Sequence, residues 1–189
     1  MTGSQLAIIF FFCFTGWVLM WADYGLTLVV ARPGQAAGLI YELNPFLRAD
    51  VAARRLLSPR FAAGTTVVFV ALLAMGWYAV DGNDYSLLHA VLAGVIATRL
   101  YLLAVHLNNL RRRTTPTPTT RQAMLAVAIQ QTTLAAAFTL LAVTNVAPPL
   151  HAVWVGAAGG FLLMAAATLL WRWREPRPRL VSSRAPFRR

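Results

Sequence analysis

Apolar residues fall along this chain in five runs, separated by short polar or basic segments. The runs cover about 5–31, 61–80, 86–107, 122–146 and 150–171. Crossing the hydrocarbon of a bilayer takes about 20 apolar residues, and a helix is the open structure that satisfies its own backbone hydrogen bonds there. The pattern therefore predicts an all-α, polytopic transmembrane bundle of five spans over 1–174, with a basic, disordered tail over 175–189. No Lys or Arg precedes the first apolar run, and apolar residues resume after Asp23, so this run reads as a retained span and not as a signal peptide.

The charges between the runs set the expected orientation. Segment 32–60 carries Arg32, Arg48, Arg54, Arg55 and Arg60, whereas 81–85 carries only the acids Asp81 and Asp84. Segment 108–121 carries Arg111, Arg112, Arg113 and Arg121, whereas 145–149 is uncharged. From Arg172 onward the chain is again arginine-rich, with Glu175 as its single acid. Basic loops lie on the cytoplasmic side, so the alternation predicts an N-terminus outside, a C-terminus in the cytoplasm, and a place in the inner (plasma) membrane as a multi-pass protein. The Thr- and Pro-rich stretch 114–120 reads as an extended linker.

Composition strengthens this picture. With 58% hydrophobic residues, 12% charged residues and a mean hydropathy of +0.59, the chain has too little polar surface for a soluble domain. The net charge of +11 comes from arginines that bracket apolar runs, with no aromatic or Gly-rich binding module between them. The expected partners are therefore the lipid bilayer and its anionic headgroups, not nucleic acid. Cys13 is the lone cysteine, which excludes an intrachain disulfide.

Polar residues inside the spans are costly and mark either packing or function. Asp23, Thr27, Arg99, Gln130 and Gln131 all fall in the cytoplasmic half of their spans, and His106 lies two turns below Arg99 on the same face. They are expected to form one buried polar layer in which Asp23 meets Arg99. The segment Tyr41-Glu42-Leu43-Asn44-Pro45 adds a second polar set within an apolar stretch that either lies at the interface or dips back toward Asp23. In the fifth span Gly156 and Gly160 form a Gly-x-x-x-Gly step, which lets helix backbones approach, within the chain first and in a homo-oligomer second.

The pattern Asp23-x-x-x-Thr27 followed by Glu42-x-Asn44-Pro45 resembles that of a family of small bacterial and archaeal multi-pass membrane proteins of unknown function. Arg99 fits the basic residue of a later span in that family. The resemblance covers about the first third of the chain and implies that Asp23, Thr27, Glu42, Asn44 and Pro45 share a role, without naming it.

Three functional classes follow. The first is a structural or accessory membrane protein whose Asp–Arg layer holds the bundle together. The second is a membrane enzyme acting on a lipid or isoprenoid at the cytoplasmic face, with Asp23, Glu42 and Asn44 as its catalytic candidates. The third is a proton-coupled carrier working as an oligomer, because five spans without inverted symmetry make an incomplete pathway alone. The oxygens of Asp23, Glu42 and Asn44, with His106, are chemically able to hold a cation, as are Asp81, Asp84, His89 and His151 at the other end. Neither set has a recognised ligand spacing, so no metal and no cofactor is assigned. No Gly-x-Ser-x-Gly elbow, P-loop or Rossmann fingerprint is present.

Overall fold

The computed structural model describes residues 3–31, 44, 46–82, 84–111, 120–145 and 147–174. Five long helices dominate: α1 (Gly3–Val30), α3 (Pro59–Gly82), α4 (Ser86–Arg111), α5 (Thr120–Val143) and α6 (His151–Arg174). Each contains a stretch long and apolar enough to cross a membrane. A short helix, α2 (Arg48–Ala52), precedes α3, and a 3₁₀ turn (Pro148–Leu150) leads into α6.

The helix ends follow from local chemistry. Ser58 sits one residue before Pro59, and its hydroxyl accepts the Phe61 N–H at 3.2 Å, which caps α3 where Pro59 needs no donor. α5 ends at Val143, short of the expected 146, because Asn145 adopts a left-handed conformation (φ 51°) and Pro148 and Pro149 follow. α4 runs on to Arg111, beyond the apolar limit at 107, since its last turn needs no apolar surroundings once outside the hydrocarbon. The short helix α2 was not expected inside the basic segment 32–60.

α4 is the hub. It packs against α1 and α3 on one side and against α6 on the other, and α5 packs mainly on α6. Ile9 and Cys13 of α1, Leu72 and Ala79 of α3, and Leu88 and Leu92 of α4 form one apolar core. In α1 the buried positions Ile9, Cys13, Gly16, Met20, Asp23 and Thr27 repeat at alternating steps of four and three, the spacing of a helix seam. Phe10, Phe11, Phe12 and Phe14 point away from that seam and are exposed.

The α4–α6 crossing is built on glycine. A Cβ on Gly156 would overlap the Ala90 carbonyl oxygen, and one on Gly160 would lie 2.8 Å from the Gly94 backbone. Ala90 and Gly94 thus supply the matching small-residue step on α4, and the two backbones touch.

Candidate functional site

Asp23 and Thr27 lie one turn apart on α1, while Arg99 and His106 lie two turns apart on α4. The two helices run in the same direction, so their polar faces meet in register. At about 1.5 Å rise per residue, Arg99 and His106 are separated by about 10 Å along α4. Asp23 sits between these levels and bonds to both. Arg99 Nη1 donates to Asp23 Oδ2 at 2.9 Å, and His106 Nε2 lies 2.9 Å from Asp23 Oδ1. Asp23 is 7% exposed and His106 is 9% exposed, so both are desolvated. Arg99 retains 29% side-chain exposure. Its buried Nε finds no partner among the described residues.

Hydrogen accounting fixes the proton on the imidazole. The single hydroxyl hydrogen of Thr27 is directed at the Asp23 carbonyl oxygen, 3.0 Å away. Thr27 Oγ1 is also 3.1 Å from His106 Nε2, and there it is left to accept. A carboxylate oxygen faces the same nitrogen, and a bare lone pair would repel it. Nε2 therefore carries a hydrogen that it shares between Asp23 and Thr27. The cluster is an acid with two nitrogen donors from one helix and a hydroxyl that orients the imidazole.

The other residues expected in this layer take different partners. Gln131 is 1% exposed in the α5–α6 seam, where its Oε1 accepts the Thr168 hydroxyl at 3.3 Å. Gln130 is exposed and accepts the Tyr101 hydroxyl at 2.8 Å, linking α5 to α4 across the front of Phe161. The polar residues at this depth thus divide into an α1–α4 cluster and two separate contacts made by α5.

Glu42 and Pro45 lie outside the described residues, as does the tail over 175–189. Asn44 is described: its Oδ1 accepts the Phe46 N–H at 3.0 Å and its carbonyl accepts the Leu47 N–H at 3.1 Å, a local Asx turn. Among the described residues no three His, Cys, Asp or Glu side chains gather closely enough to hold a metal ion.

A second polar knot went unforeseen in the sequence. Asp50 on α2 is 4% exposed, and its carboxylate accepts the Ser58 hydroxyl at 2.6 Å and Arg55 Nη1 at 3.2 Å. Tyr24, the neighbour of Asp23, donates its hydroxyl to the Arg55 carbonyl at 2.7 Å and stacks on Phe61 with ring centres 4.4 Å apart. Val51 completes an apolar cluster with Tyr24, Leu28 and Ala31. The pair Ser58-Pro59 is a legible helix start, but nothing in the sequence distinguishes Asp50 from an ordinary loop acid. No protein-family model, curated protein or solved structure matches this chain.

Proposed function

We propose that this chain is a structural or accessory component of the cell membrane, with five spans, its N-terminus outside and its C-terminus in the cytoplasm. The observation that carries this reading is the commitment of Asp23: each carboxylate oxygen already holds a donor, and both donors come from α4. A carboxylate bound in this way fixes the register of α1 against α4, where apolar contacts alone would let the helices slide. The orientation is supported by the alternation of arginine-rich and arginine-free ends, with Asp81 and Asp84 together at the opposite end from Arg54, Arg55 and Arg60.

Two measurements test the reading. Single cysteines at positions 84 and 111, in a Cys13→Ala background, are exposed to a membrane-impermeant maleimide on intact cells. Position 84 is expected to label and position 111 to label only after the membrane is opened; the reverse order overturns the orientation. Protein reconstituted in liposomes is expected to move no charge under an imposed proton gradient.

A specific observation favours one further reading. A titratable imidazole on a membrane-buried carboxylate is also the element of a proton relay, and His106 is placed so on Asp23. A proton current that vanishes in His106→Gln would make the chain a carrier.

A further inference from the structure

The turn that brings the chain from α1 into α3 presents an unusual surface. Segment 44–60 holds Arg48, Arg54, Arg55 and Arg60 against the single acid Asp50, a formal charge of +4 − 1 = +3. Asp50 is buried and its oxygens are taken by Ser58 and Arg55, so it offers no negative charge outward. Arg54 and Arg60 donate at 3.4 Å to the backbone carbonyls of Leu28 and Phe46, contacts that orient the guanidinium groups without neutralising them. Arg55 keeps 61% of its side chain exposed while it holds Asp50.

Among these cations stand large apolar side chains that are exposed among the described residues. Leu56 is 79% exposed, Leu57 77% and Phe46 64%, although Val51 and Phe61 close by are drawn into the cluster around Tyr24. The frame that holds them is hydrogen-bonded to α1 and within itself. Arg55 N donates to Asp50 O at 2.9 Å, Arg54 N to Val51 O at 3.0 Å, and the Tyr24 hydroxyl ties the Arg55 carbonyl to α1. Leu56 and Leu57 stand outside that frame, three and two residues ahead of a helix of spanning length.

We propose that this elbow is a docking surface for anionic lipid: Leu56, Leu57 and Phe46 enter the acyl edge of the leaflet while Arg54, Arg55 and Arg60 hold headgroup phosphates. Charge complementarity and depth favour a leaflet over a protein partner, because the leucines sit at the level where hydrocarbon gives way to headgroups. The proposal rests on the membrane-spanning reading, and the experiment separates the two.

Single cysteines at Leu57 and, as a depth reference, at Phe11 on the exposed face of α1 are placed in a Cys13→Ala background and labelled with an environment-sensitive fluorophore. The protein is reconstituted in vesicles of phosphatidylcholine with acyl chains brominated near the headgroup, with and without phosphatidylglycerol. Both probes are expected to be quenched, and quenching at position 57 is expected to deepen several-fold with phosphatidylglycerol. In Arg54→Gln/Arg60→Gln that increment is expected to disappear, and the phosphatidylglycerol titration of the unsubstituted arginines decides alone if this variant misfolds. A quenched probe at 11 with an unquenched probe at 57 overturns the docking surface and leaves the spans standing. Equal quenching of position 57 in both vesicle types overturns the headgroup recognition, and loss of quenching at both positions overturns the spans and the proposal together.

Discussion

Replacing Asp23 by Asn keeps the shape of the side chain but removes the charge that faces Arg99 and His106. Stranding a buried cation costs roughly 3–5 kcal/mol. Arg99 keeps 29% of its side chain exposed, so part of that cost is relieved, and a loss of about 2–4 kcal/mol is expected. Arg99→Gln strands the carboxylate instead, although His106 still holds one oxygen, so its loss should fall at the lower end of the range. The double variant Asp23→Asn/Arg99→Gln removes both charges and is expected to lie within about 1 kcal/mol of wild type, giving a coupling energy of about 2 kcal/mol or more. The assay is reversible unfolding in mixed micelles, followed by circular dichroism. If both single variants stay within about 0.5 kcal/mol of wild type, or the coupling is near zero, the pair does not hold α1 to α4. The register-fixing role of Asp23 then fails and the charges serve chemistry instead.

Three other predictions follow from the geometry. Gly156→Ala should destabilise by about 2–3 kcal/mol because its methyl group has no room against the Ala90 carbonyl, whereas Gly159→Ala, with open space around it, should be neutral or slightly stabilising in the same unfolding assay. Ser58→Ala removes the α3 cap and the 2.6 Å donor to buried Asp50, an expected loss of about 1–2 kcal/mol, visible as faster amide exchange over 60–62. At the opposite end, the Ser86 backbone N–H and then its side chain hold the Asp84 carboxyl below the usual carboxylate range. A lowered folded-state pKa stabilises above the unfolded value and is lost as pH falls through the folded value. Amide protection in the first turn of α4, taken relative to the intrinsic exchange rates, should therefore fall below about pH 4 in wild type, and show no such step in Asp84→Ala.

The long helices were legible because each carries a continuous apolar run, a signal that requires no knowledge of partners. The pairing of Asp23 with Arg99 was legible for a related reason: opposite charges at similar depth in desolvated helices have few alternatives. Depth alone could not place Gln130 and Gln131. They are consecutive on one helix, so their side chains point about 100° apart and cannot share a site. Only the position of α6 determines that Gln131 turns inward to Thr168 while Gln130 reaches Tyr101. The partner of Gly156 and Gly160 was hidden in the same way. Ala90 and Gly94 look unremarkable within an apolar run, and they acquire meaning only when α6 lies against them. Asp50 was missed because solvation is the default for an acid among arginines, and its burial depends on Tyr24, Leu28 and Val51 forming a floor beneath α2.

These contacts together explain how a chain of nearly uniform apolar helices adopts one arrangement. In lipid, apolar surfaces gain little by meeting one another, since hydrocarbon tails solvate them equally well. Specificity has to come from contacts that lipid cannot imitate, and α4 carries two kinds. One face offers Arg99 and His106, whose donors a lipid tail cannot satisfy and Asp23 can. The face toward α6 offers Ala90 and Gly94, a shallow surface that only another glycine-bearing backbone can approach. The first fixes the axial register of α1 through charge, and the second fixes the register of α6 through shape. α5 carries its one charge, Arg121, in its first turn and has no glycine step; it is placed against α6 by Gln131, the small residues Ala128 and Ala135, and the bond from Arg172 Nε to the Arg121 carbonyl.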